Sequence, residues 1–160
     1  MRKPFNKTLT ALALVLTCVS GRSGFAAGTL YYRADGEPIV VMRGSARELG
    51  RLGFRYENGF GVPQNYIAAA DLYLRAAERG DTFAQSRLGL SYDKGHGVRK
   101  DLILSYKWLD LAASRASRRD HDFYLRLRDA VASKMSLEQV TEGQRLALIW
   151  SGHWAEGLRY

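Results

Sequence analysis

Apolar residues recur at spacings of three and four from residue 45 onward, which is the pattern of amphipathic helices. In the first stretch Leu49, Leu52 and Tyr56 share one side, and Ser45 with Glu48 forms a capping box, the motif that opens a helix. The pattern stops at a loop containing two glycines and resumes as a second helix. From residue 45 the chain is therefore predicted to consist of helices joined by short loops.

The chain matches itself when it is shifted by 36 residues. Between Ala46–Gly80 and Thr82–Ala116, eleven of 35 positions are identical, and a Gly-x-Gly-Val loop falls at the same place in both stretches. A match of this kind predicts two copies of one helix–loop–helix unit, residues 45–80 and 81–116.

Glycines have two predicted roles in each unit. Gly59 and Gly95 end the first helices, because glycine readily takes the left-handed conformation that a helix C-cap needs. Gly53 and Gly89 lie inside those helices, where glycine costs about 1 kcal/mol relative to alanine. Close packing against a neighbouring helix must offset that cost.

The segments on both sides of the repeat have patterns of their own. Residues 117–151 contain two more helical stretches, 121–134 and 136–151, which are predicted to cap the stack because a repeat array must cover its open apolar edge. Residues 152–160 are predicted to form a tail. Residues 27–44 carry two short apolar runs around a polar turn, which fits an N-terminal arm or a short hairpin.

Residues 1–26 have the composition of a secretory signal peptide. Three basic residues near the N-terminus precede the apolar run Leu9–Val19, which is too short to cross a bilayer as a helix, since that needs about 20 residues. Gly24 and Ala26 supply the small residues that a signal peptidase requires. We expect cleavage near Ala26, a periplasmic or secreted protein, and no stable membrane span after the leader is removed.

Removal of the predicted leader would lower the net charge of the protein and would remove its single cysteine. Four of the 24 basic residues and none of the 16 acidic residues lie in residues 1–26, so the net charge of +8 falls to +4 and no longer indicates a nucleic-acid partner. Cys18 leaves with the leader, which excludes a disulfide framework and a CxxC site. A lipoprotein anchored at Cys18 is a weaker alternative, because Leu16 and Thr17 stand where lipidation signals prefer small residues.

Sequence motifs for catalysis, for metal ions and for cofactors are absent, so the protein is expected not to be an enzyme. The three histidines form no His-Glu-x-x-His motif, and the Gly-x-Gly loops follow helices and lack the further glycine or lysine of phosphate-binding loops. A protein that binds or modifies cell-wall glycans is the alternative function. Such a protein would need paired carboxylates in a cleft, whereas the acidic residues of this chain are predicted to lie on helix surfaces. These residues are Glu48, Glu57, Asp71, Glu78 and Asp93.

The shared residues of the two units resemble the Sel1-like repeat, a relative of the tetratricopeptide repeat. The residues that carry the resemblance are Leu52, Gly53, Tyr56, Gly59, Gly61, Val62, Ala76, Ala77, Leu88, Gly89, Tyr92, Gly95, Gly97, Val98, Trp108, Ala112 and Ala113. The first unit departs from the pattern at Glu48, Asn65 and Leu72, where the family has Ala, Asp and Trp. The C-terminal helices resemble the pair that follows such repeats in many exported bacterial proteins.

The resemblance implies an all-α fold, a right-handed α-solenoid of helix–loop–helix repeats with C-terminal capping helices. It also implies a non-catalytic protein–protein interaction module, an adaptor or regulatory scaffold that binds its partner on the concave face of the solenoid.

Arginines on the first helix suggest where the partner binds. Arg47, Arg51 and Arg55 recur every four residues opposite the apolar side, and the repeat aligns Arg51 with Arg87. We expect these four guanidinium groups to form a ridge on the concave face that binds an acidic segment of a protein. A solvated surface without a role is the alternative, and the oligomeric state is left open.

Overall fold

The structure is a computed structural model that describes part of the chain. The backbone is described for residues 29–32, 38–41 and 45–157, and the side chains for residues 45–152. The chain divides into two compact units, Met1–Arg43 and Gly44–Tyr160. The predicted signal peptide lies outside the described residues.

The first unit contains two paired strands. β1 (Thr29–Tyr32) and β2 (Pro38–Val41) run antiparallel, with Leu30 opposite Val40 and Tyr31 opposite Ile39. Of the two forms predicted for this segment, the paired strands correspond to the short hairpin.

The second unit contains six helices in its described residues and forms an all-α solenoid, as predicted. They are α1 (Ala46–Asn58), α2 (Tyr66–Glu78), α3 (Thr82–Lys94), α4 (Leu102–Arg115), α5 (Arg118–Ala132) and α6 (Leu137–Gly157). Each of the first four helices packs on the helix that follows it along the chain, and α6 packs on α4. Helices α1 and α2 make the first predicted repeat, and α3 and α4 make the second.

The helix ends are fixed by local hydrogen bonds. The amide of Ser45 donates to the carboxylate of Glu48 at 2.7 Å, and the amide of Glu48 donates to Ser45 Oγ at 3.3 Å, so the predicted capping box is present. The next three helices each begin at a side chain that accepts a hydrogen bond from the amide three residues later: Asn65, Asp81 and Asp101. Gly59 and Gly95 end α1 and α3 in the left-handed conformation, at φ of 73° and 75°.

Glycines inside α1 and α3 allow close contact with the second helix of the same repeat. A Cβ atom on Gly53 would lie 2.8 Å from Cε1 of Tyr73, and one on Gly89 would lie 2.7 Å from Cγ of Leu109. Both distances are too short for real atoms, so the prediction that close packing requires these glycines is confirmed.

The core runs through both repeats and continues under α6. Its most completely buried side chains, each 1% exposed or less, include Leu49, Tyr73, Ala76, Ala77, Ala84, Leu88, Leu109 and Ala112. Trp150 of α6 packs edge-on against Trp108 of α4, with ring centroids 5.8 Å apart. α6 therefore closes one side of the second repeat, as expected of a capping helix.

Two predicted boundaries differ from the structure. α5 begins at Arg118 rather than His121, because Asp120 in its first turn accepts a hydrogen bond from Ser117 Oγ at 2.9 Å and favours the helix N-terminus. α6 continues through Gly157, so residues 152–157 are helical rather than a loose tail. A lone glycine such as Gly152 lowers helix propensity without ending a helix.

Candidate partner-binding face

Arg87, one of the four predicted binding residues, belongs to a polar cluster between three helices. Its Nε lies 3.0 Å from Oε2 of Glu57 on α1, and a second guanidinium nitrogen pairs with Oε1 of the same carboxylate. The hydroxyl of Tyr73 on α2 donates to this carboxylate at 2.6 Å. The guanidinium also lies over the ring of Phe54, 5.5 Å from its centroid. Arg87 therefore joins the two repeats to each other.

The electrostatics of this cluster follow from burial and pairing. Burial raises the pKa of the Tyr73 hydroxyl, and its hydrogen bond to Glu57 raises it further. Burial alone would lower the pKa of Arg87, but the hydrogen-bonded carboxylate of Glu57 outweighs burial and raises it. Tyr73 stays neutral and Arg87 stays charged at any physiological pH, so the cluster is a fixed structural link rather than an acid–base site.

The other three arginines of the predicted ridge are in different environments. The Nε of Arg55 donates to the carbonyl of Phe60 at 3.0 Å and holds the loop after α1. Arg47 and Arg51 are exposed and make no ion pair within the described side chains. Two of the four guanidinium groups of the predicted ridge are therefore taken up by contacts inside the chain, and binding of an acidic segment by these arginines stays a prediction.

Arg87 and its counterpart Arg51 lie in different environments. Arg87 reaches from α3 to Glu57 on α1, so its side of α3 faces the preceding repeat. Arg51 occupies the equivalent position on α1, and no repeat precedes α1 in the described chain. Arg51 is exposed and has no preceding repeat to contact within the described residues.

An aromatic cluster lies beside this link, and sequence analysis missed it. Phe54 of α1 contacts Phe60 of the following loop and Phe83 of α3, with ring centroids 5.8 and 6.0 Å apart. Phe60 is 58% exposed and Phe83 is 37% exposed. The sequence did contain a sign of this cluster, because the three phenylalanines are not shared by the two repeats. Their counterparts in the other repeat are Leu90, His96 and Arg47.

Other candidate chemistry is sparse in the described residues. His96 stacks on the ring of Tyr66 with centroids 4.6 Å apart, and His121 lies 3.3 Å from the carboxylate of Asp122. The described side chains contain no group of three or more His, Cys, Asp or Glu residues able to hold a metal ion. Among the described helices, none combines the length and apolar character needed to cross a bilayer.

Comparison with known families identifies the repeated unit. The family model of the Sel1 repeat matches residues 47–81 and 82–117, which are the two helix pairs described above. The chain contains two Sel1 repeats. Sel1 repeats are generally protein–protein interaction modules, and the proteins that contain them are typically non-catalytic scaffolds.

Two similar solved structures also contain Sel1 repeats. A protective antigen of uropathogenic Escherichia coli strains with an SLR fold is 26% identical, with a TM-score of 0.63 over 69% of this chain and 23% of the antigen. A Sel1 repeat protein from Oxalobacter formigenes is 28% identical, with a TM-score of 0.50 over 66% of this chain and 44% of that protein. The match thus spans less than half of either protein. No curated protein matches the chain significantly.

The 36-residue spacing between the two Sel1 repeats extends to the start of α5. α1, α3 and α5 begin at residues 46, 82 and 118, so their second residues are Arg47, Phe83 and Arg119. Tyr124 of α5 is buried against Ala112 and Ala113 of α4, and the Ser86 side chain of α3 lies close enough to influence its hydroxyl, so this part of α5 lies near α3. The face shared by α1, α3 and α5, together with the loop residue Phe60, is called the first-helix face below.

Proposed function

We propose that this protein is a non-catalytic scaffold of the cell envelope that binds a protein partner on its first-helix face. Two Sel1 repeats support a protein-binding role in general. In a solenoid, the helices that line the inner side of the stack present an extended surface to ligands. α1, α3 and α5 supply such a surface here.

The observation that carries the proposal is the exposed aromatic cluster. Phe60 and Phe83 keep 58% and 37% of their surface exposed although both pack against Phe54. Exposed apolar patches rimmed by polar groups are typical of interaction sites, and aromatic side chains commonly dominate binding energy. Packing of the core does not explain why these two aromatic side chains are exposed.

Charge near the cluster indicates the partner's chemistry. Arg47 precedes Phe54 by two helical turns, and Arg119 and Arg126 are exposed on α5 without an ion-pair partner in the described residues. Guanidinium groups suit bidentate contacts with carboxylates. The partner segment on this face is therefore one that carries acidic residues next to apolar ones.

Residence in the cell envelope rests on the leader. The basic residues, the apolar run and the small residues near Ala26 are those of a signal peptide, so the partner is sought outside the cytoplasm.

A capture experiment tests the proposal. The secreted protein and its Phe60→Ala and Ile67→Ala variants are immobilised and exposed to envelope extract and to cell-wall fragments. Ile67 is 73% exposed on α2 and serves as the matched control. Wild type and Ile67→Ala should capture the same protein, and Phe60→Ala should lose about tenfold in affinity, the loss of one interfacial aromatic anchor.

Three results of the same experiment would contradict the proposal. Equal capture by the Phe60→Ala variant would remove the aromatic cluster from the binding face. Retention of cell-wall fragments without any protein would favour a glycan-binding role. An intact mass of the secreted bait that does not begin at Ala27 or Gly28 would overturn the proposed processing of the leader.

A further inference from the structure

The outer side of α6 carries exposed apolar residues. Leu137 is 83% exposed, Leu148 is 72% exposed, and Thr141 lies between them on the same side of the helix. The opposite side is packed: Ala147 is 3% exposed, and Trp150 contacts Trp108. α6 thus has one buried apolar side and, on another side, two exposed leucines, with Gln144 between them donating to the Tyr106 hydroxyl of α4 at 3.2 Å.

The same positions are covered in α4. Counted from the first residue of each helix, Leu137, Thr141 and Leu148 correspond to Leu102, Tyr106 and Ala113. In α4 these residues pack against Val131 and Tyr124 of α5. The side of α6 that holds Leu137 and Leu148 is thus equivalent to the side of α4 that is covered by α5. No helix in the described part of the chain covers this side of α6.

An open depression adjoins this side of α6. It measures about 850 Å³ and is lined by Ile103 of α4 and by the first turns of α6, including Leu137, Glu138 and Thr141. The depression lies at the N-terminal end of α6, so the uncovered surface extends beyond the helix itself.

A second copy docking through α1 does not fit this surface. In α3 the positions that face the preceding repeat hold Ala84, 0% exposed, and Phe83. The equivalent residues of α1 are Glu48 and Arg47, both charged and exposed. Covering them with the apolar side of α6 would remove unpaired charges from water, which is strongly unfavourable. Head-to-tail stacking of copies is thereby disfavoured.

We propose that α6 is a self-association surface that pairs antiparallel with α6 of a second copy across a two-fold axis. Leu137 and Leu148 are eleven residues apart, about 16 Å along the helix. A two-fold axis near residues 142 and 143 brings Leu137 of one copy against Leu148 of the other at both ends. Two-fold symmetry makes such an interface self-complementary.

The charges on α6 fit the same register. Arg145 pairs with Glu142 of its own helix at 2.6 Å, whereas Glu138 makes no ion pair within the described residues. In the antiparallel pair, Glu138 of one copy lies about two residues, or 3 Å, along the axis from Arg145 of the other. Each Arg145 can then bridge two carboxylates, one from each copy.

Light scattering on size-exclusion chromatography of the purified full chain tests the proposal. Wild type should elute with twice the monomer mass. The Leu137→Glu/Leu148→Glu variant should be monomeric and fully helical, because both side chains are exposed in the single copy. Ile67→Glu, a change at an equally exposed apolar residue outside α6, should remain dimeric.

A disulfide cross-link and a charge reversal test the antiparallel register of the two α6 helices. In a Cys18→Ala background, Leu137→Cys combined with Leu148→Cys should form a disulfide-linked dimer under mild oxidation. Glu138→Arg should weaken the dimer about tenfold, and adding Arg145→Glu should restore it. A wild-type chain that is monomeric at every concentration, or a dimer that survives Leu137→Glu/Leu148→Glu, would overturn the proposal. Failure of these tests leaves partner binding on the first-helix face untouched.

Discussion

Replacing Gly97 with Ala is expected to destabilise the helical unit by about 3–5 kcal/mol, more than the same change at its counterpart Gly61. Gly97 has a φ of 75°, and a Cβ atom there would overlap the carbonyl group of Tyr66 and lie 2.8 Å from the amide nitrogen of Ile67. The loop after α3 would have to move away from the first turn of α2. Chemical denaturation followed by helical circular dichroism measures the loss.

Gly61 is the matched control, since it occupies the same place in the first repeat at a φ of 71°. A Cβ atom on Gly61 would meet only the guanidinium tip of Arg55, at 3.1 Å, and that flexible side chain can move. Gly61→Ala should cost only the left-handed strain, about 1 kcal/mol. Equal losses for the two variants would mean that the loop of the second repeat does not pack on α2 as described.

Replacing Arg87 with Glu is expected to cost about 3 kcal/mol or more, while the same replacement at Arg51 should cost less than about 0.5 kcal/mol. Arg87 and Glu57 keep only 25% and 19% of their side-chain surface exposed, and the substitution would face two carboxylates against each other between α1 and α3. Arg51 is exposed at the equivalent position without such a partner in the described residues. Denaturant titrations of the two variants measure the difference.

The contrast between these variants also separates folding from binding. Arg87→Met, which removes the charge but keeps much of the length, should still destabilise the chain because Glu57 loses its cation. If Arg87→Glu melts like wild type, the Arg87–Glu57 pair does not join the repeats. Arg51→Glu folds normally on this account, so any loss of partner binding in that variant reports on the surface alone.

Most of the helical framework was predictable because its signals are local. A capping box needs residues three apart, and a left-handed C-cap needs one glycine, as at Ser45 and Gly59. The self-match at 36 residues then predicted that both units fold alike. The start of α5 carries a similar local signal, Ser117 and Asp120 three residues apart, which sequence analysis overlooked.

The candidate site was less predictable because its contacts join distant residues. Glu57 was assigned to a helix surface, yet it pairs with Arg87, thirty residues away. Helical spacing describes one helix and cannot show which charges meet when two repeats stack. The aromatic cluster of Phe54, Phe60 and Phe83 depends on the same stacking, so it emerges only when the repeats are placed together.

Site-specific photo-crosslinking in cells is the most direct test of partner binding on the first-helix face. A photoreactive amino acid is placed at Phe60, at Arg47 and, as a control, at Arg75 on the exposed side of α2. The account expects one protein adduct of the same mass from positions 60 and 47 and none from position 75. Adducts from position 75 alone, or equal adducts from all three positions, would contradict it.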